Sequence, residues 1–437
     1  MRARDFLEID FFILLSVMVL MAIGILFIYS SGITSDGTLV SSEYIRQIMW
    51  VSAGLIIAVI MAFVNYRRLY DVAIYAYLIV LIPLLYTCVF GRVVHGTRWL
   101  RIGIFGIQSS EFAKITTIIF LARYLSDTRR SGNSFIRFLV SCFIVFVPMG
   151  IVLIQPDLGT ALVFIPILLS MTFVAGAAMR YVVFSSACLV LIGILTVLPL
   201  WQMYILKGSL PVLVMLTNPR FIVIIVLALG LVMIIALFGY FKYRKRYFYW
   251  LAYLVAIVVF SLGASYMARG VLKDYQIMRL IVFIDPNIDP RGAGWNIIQS
   301  ITAIGAGGLT GKGYLQGTQS HYRFLPEQST DFIFSIFSEE AGLIGGIVVF
   351  SLFLVICLRL LRLTKITTDP FAAYICAGLV GVFSFHFIIN VGMTMGIMPI
   401  TGIPLLFMSY GGSSLISAMV GIGMALSIHV RRYSHQI

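Results

Sequence analysis

"FFILLSVMVLMAIGILFIY", residues 11–29, is nineteen residues without a single charged side chain. Hydrocarbon offers the backbone no hydrogen-bond partners, and a helix satisfies its own N–H and C=O groups. An apolar run of roughly 20 residues is therefore predicted to span a bilayer as a helix. It follows the short head "MRARDFLEID", and no small-residue cleavage site follows a short apolar region, so it reads as an uncleaved first span rather than a signal peptide.

Similar runs recur along the 437 residues, of which 61% are hydrophobic and 11% charged, with a mean hydropathy of +1.03. These values exclude an ordinary water-soluble domain. Apolar runs between polar breaks predict spans near residues 11–29, 47–64, 71–90, 111–125, 135–154, 158–176, 180–203, 220–240, 247–268, 332–358, 371–394 and 402–429. The expected fold is an all-α polytopic transmembrane helical bundle of about twelve spans, one membrane domain over residues 1–437. Five cysteines, Cys88, Cys142, Cys188, Cys357 and Cys376, lie in or beside apolar runs without CxxC spacing. They suggest neither a disulfide framework nor a metal site.

The net charge of +14 invites a nucleic-acid reading, but the basic residues are scattered between apolar runs instead of forming a patch. The short basic loops "NYRRLY", "FKYRKRY" and "RLLRLTK" fit the positive-inside rule and predict both termini in the cytoplasm. Residues 91–110 and a long loop at about 268–330 then lie outside. Those outer segments hold Arg92, Arg98, Arg101, Arg269, Lys273, Arg279, Arg291, Lys312 and Arg323, a cationic lining that topology does not require and an anionic ligand would explain.

The glycine-rich segment 285–320 fails as a Walker loop, because Ala306 stands where the first glycine belongs and Gly313 where Ser or Thr belongs. As a dinucleotide fingerprint it fails at Thr310. Neither HExxH nor GxSxG occurs.

Ionisable residues at membrane depth mark a path or a site. Glu111 and Lys114, spaced i,i+3, are expected to share a helix face and neutralise each other. Asp157 reads as a helix N-cap, and Thr330 is expected to cap the helix whose first turn holds Asp331. Glu339 and Glu340 are expected to make polar contacts within the bundle, and His386 an interhelical hydrogen bond.

Six motifs then bring a family into view: "RWLRIG" at 98–103, "QSSEFAKI" at 108–115, "QPDLGTA" at 155–161, "DPRGAGWNIIQS" through "GKGYLQGTQS" at 289–320, "FLPEQSTDFIF" at 324–334, and "GIMPITGIPLLFMSYGGSS" at 396–414. In this order they resemble the SEDS family of bacterial cell-wall proteins (shape, elongation, division and sporulation). The "GTQS" at 317–320 resembles its rod-shape, elongation branch. Three positions depart from the family: Ser109 stands where Pro is common, Ser329 where His is common, and Ile301 where close relatives carry Lys. The stretch at about 205–267 looks like an inserted pair of spans added to a family core of ten.

The resemblance implies a glycosyltransferase of the bacterial cytoplasmic membrane that polymerises lipid II into glycan strands on the outer face and releases undecaprenyl diphosphate. It aligns the family's essential acid with Asp331. A diphosphate departs as a good anion, so one carboxylate acting as general base on the acceptor hydroxyl is sufficient. A helix N-terminus and neighbouring cations weaken a carboxylate as a base and burial strengthens it; the sequence leaves that balance open. On this reading Arg98, Arg101 and Lys114 meet the diphosphate, Glu111 positions Lys114, Trp99 offers a stacking face, and Asp157 and Gln319 contact the cavity. The implied partner is a class B penicillin-binding protein. No cofactor or metal site is indicated, although the diphosphate can itself recruit a divalent cation. The alternative is a flippase for the lipid-linked precursor, which would show charges through the depth of several spans and an inverted repeat.

Overall fold

The computed structural model describes residues 10–90, 99–102, 105–130, 133–202, 215–216 and 218–432. They form two compact units, Met1–Ala177 with Trp295–Ile437, and Ala178–Gly294.

The first unit contains α1 (Phe11–Ser31), α2 (Glu43–Phe63), α3 (Arg67–Phe90), a hairpin of β1 (Trp99–Ile102) and β2 (Phe105–Gln108), α4 (Ser109–Asp127), α5 (Ser134–Ile154), α6 (Leu158–Leu162) and α7 (Phe164–Val174). The second contains α8 (Met179–Trp201), α9 (Pro219–Tyr243), α10 (Arg246–Val271) and α11 (Asp274–Ile284), with α10 packed on both α8 and α9. The chain then returns to the first unit through α12 (Ala293–Gly307), α13 (Thr318–His321), α14 (Ile333–Ile366), α15 (Pro370–Thr394) and α16 (Gly412–Val430). Helices dominate the described residues, so the fold is an all-α helical bundle that also carries a short hairpin.

Local chemistry sets the helix starts. Asp10 caps α1 by accepting from the amides of Phe12 and Ile13 and also receives Arg359 from α14 in a two-pronged ion pair at 2.9–3.1 Å. Asn218 and Asp369 cap α9 and α15, each followed by a proline that needs no hydrogen-bond partner. α15 runs through the middle of the first unit against α4, α7 and α14. The pair α2 and α16 packs at close range: a side chain at Gly423 would bring its Cβ within 2.7 Å of the Ala58 carbonyl oxygen. In lipid, where helix association draws little from the hydrophobic effect, such small-residue contacts supply the packing.

Ten helices among the described residues are long and apolar enough to cross a membrane, against twelve expected. α4 misses because it carries Glu111, Lys114, Arg123 and Asp127. The run at 158–176 is broken at Val163 into two short helices: Pro166 has no N–H to give the Leu162 carbonyl, so the helical ladder is interrupted there. The last helix starts at Gly412, not near 402, because residues 399–411 form a buried irregular segment with positive φ at Gly402 and Phe407. Irregular backbone buried in this way persists only when the protein satisfies its polar groups. The expected long loop at 268–330 is largely helical, being occupied by the end of α10 and by α11, α12 and α13.

Candidate active site

Asp331 lies in a turn immediately before α14 and is half-buried. The expected cap fails here: α14 begins at Ile333, and the Thr330 hydroxyl turns back to Glu327, donating to its carbonyl at 3.3 Å and lying 3.2 Å from its carboxylate. The turn is instead held from three directions. Asn390 of α15 donates its side-chain amide to the Asp331 carbonyl at 3.0 Å. The Tyr410 amide donates to the Ser329 carbonyl at 2.8 Å. The Ser329 hydroxyl donates to the Glu43 carboxylate of α2 at 2.6 Å. Arg46, one turn along α2, covers the Tyr410 ring at 5.7 Å.

Glu111 and Lys114 form the predicted pair at 2.8 Å, with side chains 3% and 2% exposed. The Lys114 ammonium also lies 3.0 Å from His386 Nε2, and the Ser417 hydroxyl donates to Glu111 at 3.3 Å. Lys114 is therefore enclosed by protein partners: the spacing identified the pair, and the structure adds His386 as its third member. A buried charge survives only when paired, and removing one partner from such a pair costs about 3–5 kcal/mol.

Asp157 caps α6, accepting from the Thr160 amide at 3.2 Å and its hydroxyl at 2.9 Å. It also accepts from the Gln108 side chain at 3.0 Å. Since Gln108 closes β2, whose partner strand pairs Trp99 with Gln108 and Arg101 with Gly106, the hairpin bearing Trp99 and Arg101 is tied to this carboxylate. Arg98 lies outside the described residues.

Gln319 sits on the segment between α12 and α14, and its amide donates to Glu339 at 3.1 Å. Glu339 also accepts from Lys312 at 2.7 Å and from the Thr318 amide and hydroxyl at 2.8 and 2.9 Å. Glu340 accepts from Ser30 of α1 and from the Leu315 amide. Beyond them α14 breaks at Gly342 (φ 66°, ψ −166°), and the amides of Leu343 and Ile344 take the Gly308 and Leu309 carbonyls instead. Both glutamates thus stitch residues 308–321 to the start of α14. No group of three or more His, Cys, Asp or Glu able to hold a metal occurs among the described residues.

Sequence reasoning passed over Glu43 and Asn390. Asn390 carried a usable signal: a buried amide one helical turn from His386 in an otherwise apolar span needs partners on a neighbouring segment. Glu43 carried none, because a carboxylate in a helix first turn is commonplace.

A family model for the FtsW/RodA/SpoVE cell cycle proteins matches residues 10–209 and 201–434. The peptidoglycan glycosyltransferase RodA of Treponema pallidum (strain Nichols) is 46% identical over 99% of this chain and 100% of its own length. The peptidoglycan glycosyltransferase MrdB of Escherichia coli (strain K12) is 32% identical over 89% of this chain and 85% of its own. A chain in a solved peptidoglycan synthase complex, described as coordinating polymerization and crosslinking, matches with a TM-score of 0.66 at 24% identity, over 97% of this chain and 98% of that one. With this fold, these motifs in order and these full-length relatives, the chain belongs to the FtsW/RodA/SpoVE family.

Proposed function

We propose that this multi-pass membrane protein polymerises lipid II into glycan strands on the outer face of the membrane, with Asp331 as the general base. It is a peptidoglycan glycosyltransferase, as the relatives at 46% and 32% identity are named. In the proposed step Asp331 takes the proton of the acceptor sugar hydroxyl as its oxygen bonds to the anomeric carbon of the donor. The donor's bond to the lipid diphosphate breaks, and the diphosphate leaves with the electron pair. No acid is needed at the leaving group.

The observation that carries the choice of base is accessibility. Of the three acids of the predicted site, Glu111 and Asp157 are each 2% exposed, whereas Asp331, on a pinned turn, is only partly buried. A base must reach the proton it removes. Lys114, enclosed with Glu111 and His386, acts in this reading by fixing the cavity wall and its charge. Arg98 and Arg101 remain the candidates for meeting the diphosphate. A transpeptidase of the penicillin-binding class is the partner this reading expects.

The test is purified protein with labelled lipid II, in detergent and in vesicles. Glycan polymer from the wild type and its loss in Asp331→Ala are expected. Translocation of lipid II across vesicles without any polymer would replace the polymerase with a transporter.

A further inference from the structure

Two buried polar residues on α15 join the parts of the site. His386 and Asn390 are spaced i,i+4, so they lie on one helix face about 6 Å apart along the axis, and they are 1% and 0% exposed. Each reaches in two directions. Asn390 gives one amide hydrogen to the Asp331 carbonyl at 3.0 Å and the other to the Ile403 carbonyl at 2.8 Å. His386 approaches the Pro404 carbonyl through Nδ1 at 3.1 Å and the Lys114 ammonium through Nε2 at 3.0 Å. A carbonyl only accepts and an ammonium only donates. The tautomer assigned from these partners is therefore neutral, with the proton on Nδ1 and the Nε2 lone pair facing Lys114.

Two consecutive carbonyls of the irregular segment, Ile403 and Pro404, are thus held by two residues one turn apart on α15. Each of those residues gives its other hand to a different functional element: Asn390 to the turn bearing Asp331, and His386 to the Glu111–Lys114 pair. The same segment continues to Tyr410, whose amide holds Ser329 two residues before Asp331.

We infer that His386 and Asn390 are positioning residues that hold the Asp331 turn at a fixed distance and orientation from the buried Glu111–Lys114 pair, with residues 403–404 as the bridge. The inference rests on the reading of Asp331 as the base. Neither residue touches substrate; both act on where Asp331 stands when the acceptor hydroxyl arrives. Displacing a reacting group by about 1 Å can cost about 100-fold in rate.

The experiment uses the full-length protein in lipid nanodiscs with labelled lipid II, measuring kcat, KM and melting temperature for Asn390→Leu, His386→Leu, His386→Gln and Asp331→Asn. Glutamine can still donate to one partner and accept from the other. His386→Gln should therefore keep kcat within about three-fold of wild type, while His386→Leu and Asn390→Leu lower it about 10- to 100-fold with KM within about two-fold. Combining His386→Leu with Lys114→Met should lower kcat by less than the product of the two single effects, since either single variant already breaks the contact they share. If a leucine variant does not fold, His386→Asn takes its place: the shorter amide cannot span both partners and should lose kcat where glutamine keeps it. The inference is overturned if folded His386→Leu and Asn390→Leu polymerise at the wild-type kcat, if glutamine is as poor as leucine, or if the His386 and Lys114 effects multiply. Active Asp331→Asn beside slow Asn390→Leu would refute the base assignment alone. Inactive Asp331→Asn beside fully active leucine variants would refute only the positioning role.

Discussion

The acids of the stretch "FLPEQSTDFIFSIFSEEAGLIGG", residues 324–346, divide between two environments only eight residues apart. At Glu339 and Glu340 the carboxylates are 0% and 2% exposed and filled with donors, and the helix itself breaks at Gly342 so that residues 308–321 can pack there. At Asp331 the backbone is held by neighbours from two other helices and an irregular segment, while the residue stays only partly buried. The first region spends its charge on folding. The second fixes the backbone and leaves the residue within reach of solvent, which is what a group that must exchange a proton with a ligand requires.

Removing each carboxylate should separate the two regions. Asp331→Ala is expected to lower kcat about 10²- to 10⁴-fold, the usual worth of a general base, with the melting temperature within a few degrees of wild type. Glu339→Ala should do the reverse in kind: it removes the carboxylate paired with Lys312, leaves the amides of Thr318 and Gln319 without an acceptor, and should cost roughly 3 kcal/mol of stability, read by thermal unfolding. Gly342→Ala belongs with it, because the new Cβ would stand 2.3 Å from the Gly311 nitrogen on a backbone at φ 66°, where alanine is strained by about 1–3 kcal/mol before any clash. Lys312→Met should cost only about 1 kcal/mol, since Lys312 is 29% exposed and Glu339 keeps its Thr318 and Gln319 donors. Smallest of all, Ser329→Ala removes one hydrogen bond of the Asp331 turn and is expected to slow polymerisation a few-fold, about 1 kcal/mol in rate.

The membrane helices were legible because long apolar runs admit few other structures. The starts of α1, α9 and α15 fell within one residue of the apolar-run bounds at 11, 220 and 371; the caps Asp10, Asn218 and Asp369 stand just before them. The Glu111–Lys114 pair followed from spacing on one helix, which is local. What failed depended on distant partners. Thr330 looked like a cap but bonds to Glu327, because Asn390, Tyr410 and Glu43 hold the turn in another shape. Residues 402–411 looked helical by composition, yet side chains of Asn390, His386 and Gln47 satisfy their carbonyls in an irregular path. No local pattern announces a hydrogen bond between residues that are 59 or 286 positions apart.

The central claim is that Asp331 works on the proton of the acceptor hydroxyl and not on the shape of the protein. Its most direct measurement is the polymerisation rate of Asp331→Asn at saturating lipid II, taken with the binding of lipid II and the melting temperature of the same preparation. Asparagine preserves the size of the side chain and removes its basicity. The account predicts wild-type folding, lipid II binding within a few-fold of wild type and almost no glycan polymer; polymer formed at the wild-type rate would contradict it.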